Sequence, residues 1–389
     1  MNKKDNKKKN QNLLRHEGAK IKVVGVGGAG GNAISRMYDN FIKGVDFIAI
    51  NTDTQDLELA NADTKVHIGK NLTKGLGTGM NPDLGRQAAE ETRAEIAELL
   101  KGADLVFLTA GFGGGTGTGA TPIVAEVAKE MGALTIAVVT KPFTFEGAQR
   151  TKLAQDGLTK LRDKVDTMIV IPNDRIFTII DKDTTLAKAF EAVDKILRYA
   201  VQGVAELITL PGIINVDFAD VKAVMENAGT ALVGIGMGSG KERAVDAVTQ
   251  AVNSPLLEVS IEGAKGVLFG ISGAKDLKMS EINDIARVIS ESVDSSARII
   301  FGAYHDKRLK DGTIKVTLIA TGFSDTAVHK PSQLSGLFSA QQERKKEPEM
   351  PEEDINDSKK RPIKPVKSES ESKNDVWDIP TFLRKKNKK

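Results

Sequence analysis

Short runs of consecutive apolar residues alternate with amphipathic stretches through the first half of the chain. The runs predict strands at Ile21–Val26, Phe47–Ile50, Leu105–Ala110, Leu134–Val139 and Met168–Ile171. Apolar residues at helical spacing predict helices over Ala29–Tyr38, Leu84–Leu100 and Ala120–Met131. Continuous apolar strands joined by helices are typical of a parallel sheet that is covered on both faces. The pattern therefore predicts an α/β fold.

A long helical stretch, Thr184–Ile208, separates this region from a second, shorter alternation of elements. Its predicted strands are Ala231–Met237, Lys265–Ser272 and Thr313–Thr321, and its predicted helices are Glu242–Asn253 and Met279–Ser292. We expect a first domain over residues 20–228, which includes the long central helix. We expect a second, smaller α/β domain over residues 229–325.

Both ends of the chain differ in composition from the middle. Residues 1–19 are basic and polar, and residues 326–375 consist mainly of Lys, Glu, Asp, Ser and Pro. Segments with so few large apolar residues cannot bury enough surface to fold, so we expect a disordered basic arm and a disordered linker. In residues 376–389, apolar side chains on a short segment predict a partner-binding peptide. These side chains are Trp377, Ile379, Phe382 and Leu383.

Composition narrows the possible chemistry. The 389-residue chain has a formal net charge of +3, no cysteine and four histidines. The absence of cysteine excludes disulfides, thiol catalysis and cysteine-ligated metals. No histidine stands at a metal-ligand spacing, so we expect no protein-held metal site. The small net charge gives no indication of nucleic-acid binding. No apolar run reaches about 18 residues, so we expect no membrane span. The first ten residues are rich in Lys and Asn and no apolar h-region follows them, so we expect no secretory signal.

The first of three glycine clusters, Gly25–Asn32, follows a predicted strand and precedes a predicted helix. Backbone N–H groups at such a helix start bind phosphate, and the cluster fits G-x-G-x-x-G. The same glycines also fit a purely structural role, the tight packing of strand on helix. A dinucleotide site needs an acid at the end of the second strand. Asp46 precedes that strand and Asp53 follows it, so this cluster alone leaves the ligand open.

The second cluster, Gly111–Gly119, is denser and interleaves its glycines with two threonines. Glycine lets the backbone close on a ligand, and hydroxyls add hydrogen-bond donors for phosphate oxygens. A structural role alone explains the segment poorly, because so much glycine costs conformational entropy. We expect the third cluster, Gly75–Pro82, to close on a terminal phosphate. The chain has no Walker A motif.

These residues resemble the tubulin/FtsZ superfamily, whose signature GGGTGTG stands here from Gly113 to Gly119. The resemblance covers residues 20–325 and the last dozen residues. Further matching segments are Gly27–Ala33, Val139–Gly147, Ile171–Asp174, Ala205–Thr209, Asn215–Val221 and Asp378–Arg384. The resemblance implies a Rossmann-like parallel-sheet GTPase domain, a long central helix and a second α/β domain.

The resemblance also assigns the residues that hold GTP or GDP. The phosphate-loop residues are Gly28, Ala29, Gly30, Gly31 and Asn32, with Gly115, Thr116 and Gly117. Glu146 and Arg150 match the ribose and phosphate contacts. Asn173 and Asp194 match the residues that read guanine, and Phe190 matches the residue that stacks on the base. A carboxylate suits guanine, which presents two N–H donors on one edge. Without the resemblance, Asp194 reads as a solvated acid on a helix face.

Asn215, Asp217 and Asp220 match the loop that completes GTP hydrolysis in the family. Phosphoryl transfer to water needs an oriented water and charge compensation, and Mg²⁺ is expected. From spacing alone, an alternative interpretation is that Asp220 caps a helix over Val221–Asn227 and that Asp217 does similar local work. The resemblance implies that these acids meet the nucleotide of the next subunit.

The resemblance thus implies a GTPase that polymerises head to tail, because a heterologous contact that does not close gives filaments. It implies hydrolysis of GTP at subunit interfaces, and a cytoplasmic cytokinetic ring at the bacterial division site. It also implies that Asp378–Arg384 binds division proteins such as FtsA, with no direct membrane anchor.

Two other function classes stay open. An NAD-dependent oxidoreductase is favoured only by Gly25–Gly30 and leaves GGGTGTG unexplained. In a nucleotide-bound scaffold without hydrolysis, Asp217 and Asp220 are helix caps. Thr78 and Met80 depart from the family's alanine-sized residues in the third glycine cluster, where bulk is expected to alter the response to GTP or the rate of hydrolysis.

Overall fold

The computed structural model describes residues 18–38, 44–181, 183–257, 260–306 and 308–323. Most of the predicted basic arm lies outside these ranges, as do the predicted linker and the predicted partner-binding peptide. None of the helices within the ranges is long and apolar enough to cross a lipid bilayer.

Within the described residues, ten strands form one sheet in the order β3-β2-β1-β4-β5-β6-β7-β10-β8-β9. The strands are β1 Ile21–Val26, β2 Val45–Asn51, β3 Thr64–His67, β4 Leu105–Gly111, β5 Leu134–Lys141, β6 Thr167–Pro172, β7 Gly229–Ser239, β8 Gly266–Gly273, β9 Arg298–His305 and β10 Thr313–Thr321. Neighbours from β3 to β7 are parallel, and β10 runs antiparallel to both β7 and β8. The predicted α/β class with a mainly parallel sheet is confirmed.

The helices cover the sheet in layers. The α-helices are Gly27–Tyr38, Thr54–Leu59, Lys70–Thr73, Pro82–Glu91, Arg93–Leu100, Thr116–Glu130, Ala148–Arg162, Leu186–Thr209, Phe218–Met225, Arg243–Val252 and Met279–Glu291. Short 3₁₀ helices cover Thr144–Glu146 and Asn173–Thr178. Alternate residues of β1 enter different cores: Val23 packs in one buried cluster and Val24 in the other. This alternation is expected of a strand that is buried on both faces.

The long central helix is confirmed at Leu186–Thr209, and its 24 residues make it about 36 Å long. Thr185 caps its start, where the hydroxyl accepts a hydrogen bond from the Lys188 backbone N–H. The helix contributes Val193, Leu197 and many other apolar residues to one large core. The residues that precede the helix therefore lie about a helix length from those that follow it.

Beyond the central helix, a third buried cluster joins β8 and β10 to the helices Arg243–Val252 and Met279–Glu291. The arrangement confirms a second, smaller α/β part of the fold. The predicted domain boundaries themselves, including the one after residue 228, stay predictions.

Two predicted helices differ from the observed ones. The single predicted helix Leu84–Leu100 is two helices, because Thr92 adopts φ −108° and ψ 12° between them. The Thr92 hydroxyl donates to the Ala88 carbonyl, so a side chain competes with the helical bonding at this point. The helix predicted from Ala120 begins earlier, at Thr116, inside the second glycine cluster.

The sequence pattern missed several short elements, among them the helices Thr54–Leu59 and Lys70–Thr73. It also missed the strands Thr64–His67 and Arg298–His305 and the long helix Ala148–Arg162. This long helix is rich in polar residues and buries only a narrow stripe. The strand Thr64–His67 has four residues and one fully buried side chain, Val66, so it carries almost no periodic signal.

Candidate active site

A cavity of about 460 Å³ opens at the carboxyl ends of the parallel strands. The strand order places β1 beside β4. The strands β2 and β3 follow on one side of β1, and β4, β5 and β6 follow on the other side, so the strand order reverses between β1 and β4. Crevices at such switch points are the usual ligand sites of open α/β sheets. All three glycine clusters contribute to the lining, together with residues that follow β2, β5 and β6.

The first glycine cluster divides into packing residues and cavity residues. Gly25 and Gly30 approach each other so closely that a Cβ on Gly25 would overlap the Gly30 carbonyl. A Cβ on Gly30 would stand 2.5 Å from the Thr109 carbonyl oxygen. Gly27, Gly28 and Ala29 instead line the cavity at the start of a helix. Close packing therefore explains Gly25 and Gly30, whereas the ligand-binding role of Gly28 and Ala29 stays a prediction that their position in the cavity wall permits.

Of the other predicted residues in this cluster, none lies on the cavity surface. Gly30 is buried, Gly31 is half-buried and Asn32 is exposed. Their proposed phosphate contacts stay predictions.

The second glycine cluster carries the chain from β4 into the helix Thr116–Glu130, and Gly114–Gly117 line the cavity. The N–H groups of the first helical turn have no intrahelical partner, and the helix dipole adds positive potential there. The Thr118 hydroxyl accepts a hydrogen bond of 2.9 Å from the Gly113 N–H and so closes the loop on itself. Of the two threonines, only Thr116 lines the cavity.

Thr116 stands in the middle of a chain of three buried hydroxyls. Its Oγ1 lies 2.7 Å from Oγ1 of Thr52 and 3.1 Å from Oγ1 of Thr78. Three hydroxyls hold three hydrogens, and two internal hydrogen bonds use two of them. The Thr52 side chain is fully buried and does not line the cavity. The remaining hydrogen therefore belongs to Thr116 or Thr78, and both residues line the cavity.

Thr78 belongs to the third glycine cluster, whose backbone is unusual. Positive φ angles occur at Gly75, Gly77 and Gly79, and also at Lys74 and Met80, which are not glycine. The cavity is lined by Leu76, Gly77, Thr78 and Gly79 but not by Met80. Backbone strain at non-glycine residues is retained where the surroundings impose it, often at ligand sites.

The opposite wall of the cavity holds the residues predicted to contact ribose and base. Glu146 and Arg150 form an ion pair of 2.8 Å, and Glu146 also accepts a hydrogen bond from the Phe143 N–H. Asn173 is 6% exposed, and its Oδ1 has no hydrogen-bond partner in the described part of the chain. Phe190 exposes 41% of its surface. A buried amide oxygen without a partner is costly, so a ligand donor there would satisfy it.

Asp194 lies one helical turn beyond Phe190 but is not on the cavity surface. Its carboxylate pairs with Nε of Arg36 at 2.9 Å. Burial raises the pKa of Asp194 to about 6; the charge of Arg36 opposes this shift, and the charge of Glu191 adds to it. In this conformation the predicted guanine reader is engaged by an arginine of the first phosphate-loop helix.

The predicted hydrolysis loop lies beyond the far end of the central helix. Asn215, Asp217 and Asp220 are exposed and do not line the cavity. Asp217 caps the helix Phe218–Met225 by accepting a hydrogen bond of 2.9 Å from the Asp220 N–H. Of the alternative prediction, the local capping role of Asp217 is confirmed, whereas the cap at Asp220 and the helix bounds Val221–Asn227 are wrong. The Asn215 Oδ1 accepts a hydrogen bond from the Gly212 N–H at 2.7 Å.

Sequence reasoning missed several lining residues. Asn51 is the last residue of β2, and Asp53 and Asp56 follow it. Thr140 and Pro142 stand at the end of β5 and just beyond it. Asp53 caps the helix Thr54–Leu59, whereas the Asp56 carboxylate lies against Gly28. The available signal was position: polar residues at the carboxyl end of a predicted parallel strand share the edge where ligands bind.

Comparisons with known proteins show the family and the fold of the chain. A family model described as Tubulin/FtsZ family, GTPase domain, matches residues 20–181, and one described as FtsZ family, C-terminal domain, matches residues 229–324. An empty FtsZ dimer from M. jannaschii is 48% identical with a TM-score of 0.77, over 83% of this chain and 93% of that one. A point mutant of the same FtsZ is 47% identical with a TM-score of 0.77, over 83% and 98%. A GTPγS-bound protofilament of CetZ2 from Haloferax volcanii is 23% identical with a TM-score of 0.67, over 79% and 94%, and shares the fold.

Proposed function

Because the chain belongs to the tubulin/FtsZ family of GTPases, we propose that it is an FtsZ-type GTPase whose hydrolytic site is completed between subunits. The main support is the distance between the cavity and the predicted hydrolysis loop of the same subunit. The cavity wall includes Phe190 near the start of the central helix, whereas Asn215 follows its end. The part of the helix between them is about 28 Å long, so one subunit cannot bring its own loop to its own nucleotide.

In this proposal, GTP binds in the cavity with its phosphates on the glycine clusters. Backbone N–H groups of Gly28, Ala29 and Gly115–Gly117 surround the phosphates, and Thr116 or Thr78 donates the spare hydroxyl hydrogen. On the opposite wall, Arg150 adds a positive charge and Asn173 offers its unsatisfied amide oxygen to the base. Phe190 supplies an exposed ring for stacking.

Asp194 reads guanine in this proposal only after its carboxylate exchanges Arg36 for the base. The carboxylate accepts hydrogen bonds from two guanine N–H donors when it is ionised. Nucleotide entry and the release of the Asp194–Arg36 pair are therefore expected to be coupled.

The face around the cavity also fits a subunit interface. Phe143 is fully buried, and the rings of Phe145, Phe177 and Phe190 contact it at centroid distances of 5.0, 5.4 and 5.4 Å. These three rings are 62%, 54% and 41% exposed. Clustered exposed aromatic rings are typical of protein–protein interfaces. We propose that the hydrolysis loop of the next subunit docks on this face, which gives head-to-tail filaments.

Within the assembled site, Asn215, Asp217 and Asp220 orient the attacking water toward the terminal phosphate of the neighbouring nucleotide. Mg²⁺, when bound, compensates phosphate charge. It is commonly held by phosphates, water and one or two carboxylates. Asp56 fits that role, because its carboxylate lies at the cavity edge against Gly28.

We extend the proposal to cytokinesis, in which the filaments form a cytoplasmic ring at the bacterial division site. Residues Asp378–Arg384, outside the described ranges, are proposed to recruit division proteins such as FtsA. The support is the sequence resemblance and the FtsZ relatives described above.

The test is the rate of GTP hydrolysis per subunit as a function of protein concentration, with Mg²⁺ present. A site completed between subunits predicts a concentration threshold below which turnover vanishes. A rate per subunit that does not depend on concentration, without preformed oligomers, contradicts the proposal. Loss of turnover at every concentration, with GTP still bound, favours the scaffold without hydrolysis.

A further inference from the structure

The central helix ends next to a fully buried carboxylate. Glu206 stands in the last turn of Leu186–Thr209, and its side chain has no solvent exposure. Its Oε2 accepts a hydrogen bond of 2.6 Å from the Tyr304 hydroxyl, and Lys315 Nζ lies 3.7 Å from the same oxygen. Its Oε1 accepts hydrogen bonds from Gln202 and Arg308. A carboxylate without water is tolerated only where such partners replace its hydration.

Tyr304 belongs to β9, and the proposed hydrolysis loop is hydrogen-bonded to the same strand. The N–H groups of Ile213 and Ile214 donate to the Ala303 carbonyl at 2.7 and 3.1 Å. The Ala303 N–H donates back to the Ile214 carbonyl at 3.1 Å. The loop after the central helix is thus held on β9 one residue away from the phenol that Glu206 binds.

Gly302, the residue before Ala303 in β9, packs against both the end of the central helix and the loop that follows it. A Cβ on Gly302 would stand 2.8 Å from Cδ2 of Leu207 and 3.0 Å from Cγ2 of Val216. Leu207 follows Glu206, and Val216 lies between Asn215 and Asp217. Three consecutive residues of β9 therefore contact the end of the central helix and the loop together.

We propose that Glu206 is a positioning residue for hydrolysis: by binding Tyr304, it fixes the end of the central helix on β9 and so places Asn215 and Asp217. Apolar packing on Gly302 tolerates sliding along the strand, whereas a directional hydrogen bond to a buried charge specifies one register. The inference rests on the proposed function, because that function gives the loop its target in the next subunit.

The main test is Tyr304→Phe, which removes one hydroxyl and leaves the charges of Glu206, Arg308 and Lys315 in place. We expect faster amide hydrogen exchange at Ile213 and Ile214. We expect kcat for GTP hydrolysis above the polymerisation threshold to fall about ten- to a hundredfold, because small misplacements of reacting groups have effects of this size. The Kd of the monomer for GTP is expected to stay within about twofold, since the cavity is remote from β9.

A matched control is Val248→Ala, a fully buried position in the core of the second α/β part. It is expected to lower the melting temperature without changing exchange at residues 210–217 or kcat. Glu206→Gln serves as a second variant, because it keeps the side-chain shape and removes the charge. It is expected to reproduce the exchange and kcat effects of Tyr304→Phe.

The outcomes separate the inference from the proposed function. Unchanged exchange at Ile213 and Ile214 in Tyr304→Phe overturns the inference, and so does faster exchange with an unchanged kcat. Asp217→Asn tests the proposed function separately. If that variant hydrolyses GTP normally, the loop has no catalytic role, and exchange alone then reports whether Glu206 anchors it.

Discussion

Gly236 of β7 lies directly beneath the backbone carbonyl of Ala247, so closely that any Cβ on Gly236 would overlap that oxygen. Gly234 and Gly238 face the carbonyls of Ala251 and Arg243 in the same way. Every second residue of the strand thus meets every fourth residue of the helix Arg243–Val252. The periods of strand and helix coincide on one face, and only glycine permits this distance.

We predict that Gly236→Ala destabilises the protein by about 2–3 kcal/mol, because the helix must move away from the strand. Chemical denaturation measures the change. Gly18→Ala is a matched control, since no atom lies within 4 Å of a Cβ there. An equal effect of the two substitutions would contradict the packing argument.

The hydroxyl chain predicts unequal effects at Thr78 and Thr116. Thr116→Val leaves the buried Thr52 hydroxyl without a partner, which costs about 1–3 kcal/mol of stability. Thr78→Val leaves the Thr52–Thr116 bond intact and frees the Thr116 hydrogen for the ligand. We therefore expect GTP affinity to fall more in Thr116→Val than in Thr78→Val. Titration calorimetry and thermal unfolding check this order, and Thr116→Ser is expected to behave as the parent.

The Asp194 carboxyl predicts a pH dependence of stability. Its pKa is raised by burial from 3.8 to about 6, despite Arg36 and with a contribution from Glu191. Between these values the folded protein binds more protons than the unfolded chain, so this group makes stability rise as the pH falls from 7 to 4. The contribution is on the order of 3 kcal/mol. Denaturation at several pH values is compared with Asp194→Asn, and the difference in stability between the two proteins is expected to change by this amount between pH 7 and pH 4.

The same titration predicts an opposite effect on nucleotide binding. When the Asp194 carboxyl is protonated, one of its oxygens carries a hydrogen. The carboxyl then no longer accepts hydrogen bonds from both N–H donors of guanine. GTP affinity, measured by calorimetry, is therefore expected to weaken as the pH falls through about 6 in the parent, and not in Asp194→Asn. Equal pH profiles would show that Asp194 does not contact the base.

Trans-complementation tests the shared site directly. Asp217→Asn keeps an oxygen that can cap the helix Phe218–Met225, so stability is preserved while the charge is lost. Asn173→Ala disables the cavity and leaves the loop intact. Each variant alone is expected to hydrolyse GTP slowly. An equal mixture is expected to recover roughly a quarter of the parent rate, because random head-to-tail contacts pair an intact cavity with an intact loop that often.

A mixture that is only as active as the mean of its components would contradict a site shared between subunits. The control mixture is Asp217→Asn with Asp220→Ala. Both of these variants lack an intact loop, so their mixture is expected to show no recovery.

Much of the fold and of the phosphate-binding wall could be predicted because the signals are local. β1 and β10 were predicted with their observed bounds, and Gly28 and Gly115–Gly117 line the cavity as the glycine pattern indicates. Strand, glycine loop and helix start are consecutive in the chain. Short-range backbone geometry therefore decides them.

Other features depend on contacts between distant segments. The pattern missed the strand Arg298–His305, although this strand holds the end of the central helix and the loop that follows. The pairing of Asp194 with Arg36 joins two helices that are far apart in the chain. Nothing in the spacing of either segment indicates the other.

By itself, the sequence determined most of the strands and helices and the glycine loops that offer backbone N–H groups at helix starts, because neighbouring residues suffice for both. Only the tertiary structure decided that the hydroxyls of Thr52 and Thr78 both contact the Thr116 hydroxyl. It also decided that Glu206 and Ile214 both form hydrogen bonds to residues of β9. These contacts follow from which strands become neighbours in the sheet. That order is set by the burial of the whole core and not by any local pattern.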